Sequence, residues 1–152
     1  MAGEDIVILP SHALVLLDTS VLVHLARQDA TGVWIENHFA LTARADRPLI
    51  STITEGEILG FARQRNWGAT RMADLSRLLG EVVRVDAGLP EVVDAYADLT
   101  VLDLRGGHNT KGNDLWIAAT AKATGAVPLI CDHDFDWLNP ATITVYWIAQ
   151  VK

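Results

Sequence analysis

Four carboxylates stand where apolar segments of this sequence give way to a turn or open a helix. Asp18 follows Ala13-Leu14-Val15-Leu16-Leu17, and Asp132 follows Val127-Pro128-Leu129-Ile130-Cys131. Glu57 lies a few residues beyond Pro48-Leu49-Ile50-Ser51, with Glu55 two positions before it. Asp114 heads the small-residue stretch Leu115-Trp116-Ile117-Ala118-Ala119-Thr120-Ala121. Carboxylates brought together repel one another and raise each other's pKa unless a cation sits among them. Oxygen-only ligands, without a cysteine or histidine pairing, suit Mg²⁺ or Mn²⁺ rather than zinc. Mg²⁺ held by a few carboxylates typically acts on phosphate esters.

Each acid also has a purely structural reading. Asp18 can cap a helix beginning near Thr19, and Asn113 or Asp114 can cap the helix that follows them. Thr54-x-x-Glu57 and Thr52-x-x-Glu55 both fit a capping box. Asp132 and Asp134 suit a turn. Taken singly, these readings compete evenly with chemistry. They weaken when all four acids are required to fall around one cleft.

The intervening segments supply such a cleft. The runs at 13–17, 48–51, 82–85 and 127–131 read as buried strands, and the β-branched run Thr142–Trp147 as a last one. Between them, helical spacing appears at Val21, Leu22, Leu25 and Ala26, over 34–40, and from Thr54 to Ala62. It appears again over Ala69–Leu79, with Gly80 as C-cap, and from Pro90 through Leu99. Residues 105–112 read as a glycine-rich loop. The helix opened by Asp114 ends near Gly125, with Asp114, Ala118 and Ala121 on one face. Strands alternating with helices indicate an α/β fold with a mainly parallel sheet of about five strands and helices on both faces. Such sheets bind ligands beyond the carboxyl ends of their strands, where these acids fall.

Composition narrows the class. A chain of 152 residues, half of them apolar, suits one domain, here 12–149 after a polar lead-in over 1–11. No uncharged apolar run reaches the length of a membrane span, and the acidic Met1–Asp5 lacks the basic region of a secretory signal. The single cysteine, Cys131, cannot form an internal disulfide, so a cytoplasmic location is expected. A net charge of −7 argues against a general nucleic-acid coat protein and leaves room for an enzyme that meets nucleic acid at one site. It also favours a basic protein partner.

Several segments together resemble the PIN-domain ribonucleases, and within them the VapC-like toxins of toxin–antitoxin pairs. These are Leu17-Asp18-Thr19-Ser20-Val21-Leu22, Ile50-Ser51-Thr52-Ile53-Thr54-Glu55-Gly56-Glu57-Ile58, Asn113–Ala121 and Asp132-His133-Asp134-Phe135. They occur in the family's order, and the third is the most specific. The resemblance implies a three-layer PIN-like fold. It implies that Asp18, Glu57, Asp114 and Asp132 are the catalytic, metal-binding acids, with Asp134 a secondary acid. Thr19 or Ser20, together with Asn113, would orient water or ligands. A homodimer and an antitoxin partner with a segment entering the acidic groove are implied as well. The family register favours Glu57 over Glu55, while Ile130 and Cys131 stand where relatives often carry a threonine.

The expected chemistry is metal-assisted hydrolysis of an RNA phosphodiester with Mg²⁺ or Mn²⁺ as cofactor. No histidine is placed as an obvious general base, and His108 reads as a solvated loop residue. Arg63, Arg65, Arg71 and Arg77 read mostly as a solvated face, with one or two available to guide an RNA backbone. The tryptophans read as core or dimer surface. A signalling receiver domain also gathers acids at strand ends, but it needs a lysine where Asp132-His133-Asp134 stands. A non-catalytic PIN-type module that binds RNA or protein is the remaining alternative, and it usually lacks one or more of the acids.

Overall fold

The computed structural model describes residues 9–10, 12–139 and 141–151. Most of the expected lead-in, residues 1–8 and 11, therefore lies outside the described residues. Five parallel strands form one sheet: β1 (Val15–Leu17), β2 (Leu49–Ser51), β3 (Val83–Val85), β4 (Val127–Ile130) and β5 (Tyr146–Trp147), in the order β3-β2-β1-β4-β5. Six α-helices connect them: α1 (Thr19–Arg27), α2 (Ala30–Phe39), α3 (Thr52–Gln64), α4 (Ala69–Gly80), α5 (Pro90–Gly106) and α6 (Gly112–Thr124).

The alternation of side chains along a strand makes three layers from this order. Val15 and Leu17 of β1, with Ile50 and Leu129, pack against Val21, Leu22, Ile35, Ile58, Ala62 and Leu75 of α1 to α4. Leu16, Leu49, Val85 and Ile130 point the other way and meet Val92, Ala95 and Leu99 of α5 and the alanine-rich face of α6. Ala118, Ala119 and Ala121 are fully buried, so α6 lies with its backbone close to the sheet. The chain winds outward from β1 through β2 to β3, then returns to β4 on the other side of β1. The β1/β4 boundary is thus the point where winding reverses, and parallel sheets open a crevice there at their carboxyl ends.

Three local expectations need correction. Only Tyr146 and Trp147 of the run 142–147 pair with β4. The amides of Thr142 and Ile143 donate to the Leu138 carbonyl, and that of Val145 donates to Asn139 Oδ1, so those donors are used in a turn rather than a ladder. The expected loop at 105–112 begins later, because α5 continues to Gly106 and ends on Gly107 at φ 65°, a left-handed position suited to glycine. Gly80 is the last residue of α4 rather than its cap; Glu81 caps it in a right-handed conformation. Of the tryptophans, Trp67, Trp116 and Trp137 are partly buried and pack against the core, while Trp34 and Trp147 are exposed. Trp116 stacks on Tyr96, Trp137 on His108 and Trp147 on His133.

Candidate active site

The acidic edge is built from strand ends outward. Asp18 directly follows β1, and its backbone is extended before α1 begins. Its Oδ2 accepts from the Ser20 amide at 3.1 Å and from the Ser20 hydroxyl at 2.6 Å. Asp18 therefore does cap α1, as its structural reading held, and it does so while buried at the β1/β4 boundary. Ser20 has a second task. Its Oγ accepts from the Cys131 amide at 3.0 Å, tying the first turn of α1 to the end of β4. At the same boundary the Asp18 amide donates to the Leu129 carbonyl at 3.2 Å.

Glu57 approaches from the β2 side. The expected capping boxes do not form, because α3 is capped by Ser51, whose buried hydroxyl accepts from the Ile53 amide at 3.1 Å. Thr52 Oγ1 instead accepts from the Ala87 amide, and the Thr54 hydroxyl is buried without a hydrogen-bond partner among the described residues. Glu57 is left free for another role, and its Oε1 accepts from Thr19 Oγ1 at 2.9 Å. Glu55 points elsewhere, to an ion pair with Arg84 on β3. Two residues of separation on a helix turn side chains about 200° apart, which is why the two glutamates part company.

Asp114 does not cap α6 either. The cap position is Lys111, with no side-chain hydrogen bond, so Asn113 and Asp114 lie inside the first turn. Asp114 is half-buried and Asn113 exposed. Asp132 makes the turn expected of it, accepting from the Asp134 amide at 3.2 Å. Its half-buried carboxylate nevertheless remains at the edge, with Asp134 exposed beside it.

The electrostatics show that these acids share one region. Burial pushes the Asp114 carboxyl up to about 7, with the charges of Asp134, Asp18, Asp132 and Glu57 adding to it. Burial also raises Asp18 to about 6 against the opposing Ser20 hydrogen bonds, with Asp132 and Glu57 contributing repulsion. Asp132 is raised too, mainly by burial. The Cys131 thiol is pushed up to about 11 by burial and then by Asp18 and Asp132, so it is protonated and unreactive at neutral pH.

All the clustered donors are carboxylate oxygens, a set that fits a hard divalent cation and no softer metal. Among the described residues, no three acid, histidine or cysteine side chains already close on a common point. A cation bound among these acids would offset their mutual repulsion. A cavity of about 370 Å³ lies elsewhere, walled by Leu25, Val33, Asp74 and Leu78.

Fold and site together define a parallel three-layer α/β protein with an all-carboxylate groove at its switch point. The sequence matches the PIN domain family over residues 15–138, and the chain belongs to that family. No curated protein matches it in sequence. Its fold is similar to that of several solved toxin–antitoxin proteins. The VapBC2 structure from Rickettsia felis, bound to a promoter DNA fragment, aligns with a TM-score of 0.74 at 19% identity, covering 88% of this chain and 97% of that one. VapBC-5 from Mycobacterium tuberculosis aligns with a TM-score of 0.63 at 24% identity over 91% and 99% of the two chains. VapC20 from the same organism, described as a sarcin-ricin loop cleaving toxin, aligns with a TM-score of 0.62 at 19% identity over 82% and 95%. Among the described residues, no helix is long and apolar enough to cross a membrane.

Proposed function

We propose that this chain is a Mg²⁺- or Mn²⁺-dependent endoribonuclease and the toxin half of a toxin–antitoxin pair. The observation that carries the reading is the convergence of Asp18, Glu57, Asp114 and Asp132 on one groove, with Asp114 raised to about 7. Membership of the PIN family and the likeness in fold to VapBC structures support it. The same likeness supports an antitoxin partner, and the proposal includes a homodimer and an antitoxin segment that occupies the acidic edge.

In this reading the four acids would hold a divalent ion, which would supply Lewis acidity toward a phosphoryl oxygen and lower the pKa of water. Thr19 fixes the Glu57 carboxylate through its hydroxyl. Ser20 holds Asp18 in place and locks it to the end of β4. Asp134 and Asn113 stand at the rim, where they meet water or the substrate.

The test is cleavage of single-stranded and structured RNA by the purified protein, with Mg²⁺ or Mn²⁺ and with EDTA. Metal-dependent internal cleavage is expected. Equal cleavage in EDTA would remove the acids from the mechanism. RNA binding without cleavage in either condition would establish the alternative, a non-catalytic PIN-type module.

A further inference from the structure

Away from the acids, at the corner where α3 turns into α4, three arginines rest on two aromatic rings. The Arg27 and Arg65 guanidiniums lie 5.5 and 5.1 Å from the centre of the Phe61 ring. The Arg71 guanidinium lies 5.4 Å from that of Trp67. Phe61 and Trp67 meet edge to face at 5.9 Å, so the group is continuous. We propose that this arginine–aromatic corner is a second contact for RNA, binding the phosphodiester backbone at a distance from the acidic groove. The proposal rests on the ribonuclease reading and names a determinant of that enzyme's substrate.

Three observations lead there. First, none of these arginines forms an ion pair among the described residues, whereas Arg77 and Arg84 do. Asp29 is the acid near Arg27, and it is already engaged by His24 and the Gly32 amide. Second, a guanidinium drawn over an aromatic ring is restrained by the cation–π attraction, which leaves N–H groups available to grip a phosphate through paired hydrogen bonds. Arg65 and Arg71 are exposed. Third, helix stability does not explain the set. Arg27 and Arg65 sit at helix C-termini, which favour cations, but Arg71 is in the first turn of α4, which disfavours them.

The spacing fits one bound strand. Arg65 lies eight residues beyond Glu57 along α3, about 12 Å of helix rise. Arg27 lies nine residues beyond Asp18, about 13 Å along α1. In a chain of net charge −7, the acidic groove repels RNA in the absence of metal, and this corner offers concentrated positive charge to offset it. A strand held at the corner would extend toward the groove, so a dinucleotide would be too short to use both.

The experiment measures binding of a fluorescent single-stranded RNA to wild type and to the double variant Arg65→Gln/Arg71→Gln, in EDTA across a salt series. Each lost phosphate contact should flatten the slope of log K against log salt by about 0.7, and the pair by about 1.4. Arg65→Lys/Arg71→Lys keeps the charge and should restore most of the slope, which separates lost charge from lost packing. With Mg²⁺, KM for a long RNA should rise several-fold in the Gln variant, while cleavage of a dinucleotide stays unchanged. An unaltered slope and an unaltered KM would overturn the proposal. So would a change in oligomeric mass in the Gln variant, which would make the corner a contact between copies of the chain. Absence of any metal-dependent cleavage, with the slope still flattened, would instead sink the ribonuclease reading and leave the RNA contact standing.

Discussion

Like charges gather at two places in this molecule, and the two are stabilised in opposite ways. At the sheet's carboxyl edge, Asp18, Glu57, Asp114 and Asp132 are pinned by strand ends and helix starts, partly out of water, and burial with mutual repulsion lifts Asp114 and Asp18 far above the ordinary carboxylate range. At the α3–α4 corner, the guanidiniums of Arg27, Arg65 and Arg71 lie over the rings of Phe61 and Trp67, with Arg65 and Arg71 exposed and Arg27 partly so. Arginine stays ionised in either setting, whereas a carboxylate can take up a proton. The acidic edge therefore carries a repulsion that a bound cation would relieve, whereas the arginines are held over aromatic rings. Charge density alone does not distinguish the two; burial and the chemistry of the charged group do.

The sharpest way to break the contrast is to remove a charge from the acidic edge. Asp114→Asn should lower metal-dependent RNA cleavage by more than about a hundredfold, beyond the loss expected from an outer supporting residue, with circular dichroism showing an intact fold. Full activity would mean that Asp114 is raised for some reason other than ligand binding. Next in size is the split between the two glutamates. Glu57→Gln should remove most cleavage. Glu55→Gln should keep it, because Glu55 serves an exposed ion pair with Arg84 worth at most about 1 kcal/mol. The reverse ranking in the same assay would move the second acid to Glu55. Thr19→Val, which only frees the Glu57 carboxylate, should cost roughly tenfold in activity.

Smaller effects concern stability. Ser20→Ala leaves the Cys131 amide without its partner and Asp18 with one fewer donor, and should cost about 1–3 kcal/mol in urea unfolding. The acids themselves should act on metal-free stability with the opposite sign. Asp114 and Asp18 have folded pKa values of about 7 and 6, above the ordinary 3.8. Between roughly pH 4 and 7 the folded state keeps protons that the unfolded state has released, so stability in EDTA should fall as pH rises through that window. Asp114→Asn should flatten this decline and raise the melting temperature at pH 8, while weakening the rise that Mg²⁺ produces in wild type. Near pH 4, where the folded state still holds its Asp18 proton and carries little of the charge penalty, Asp18→Ala should lower the melting temperature by removing a cap worth about 1 kcal/mol. Identical pH profiles for wild type and Asp114→Asn would show that the acids do not repel one another across the groove.

The sequence by itself determined the parallel α/β architecture, because buried strands and amphipathic helices differ in period and alternate along the chain. It also determined that four acids follow strand ends or open helices, and the match between Asp18's place after β1 and its cap on α1 needed nothing beyond local geometry. Even the arginine corner left a trace, in Arg65 four residues after Phe61 and Arg71 four after Trp67. Only the tertiary structure decided which glutamate bonds Thr19, next to Asp18. The helical pattern admitted either Glu55 or Glu57, and the choice depends on where Thr19 and Arg84, on different elements, come to lie. The same holds for Ser20, whose hydroxyl joins residues 111 positions apart. It holds for the last strand, shortened because Asn139 and Leu138 take up its backbone donors. Local pattern fixes periodicity and caps, since neighbours in sequence supply those contacts. Pairings across the sheet's carboxyl edge exist only once strand order has brought distant segments together.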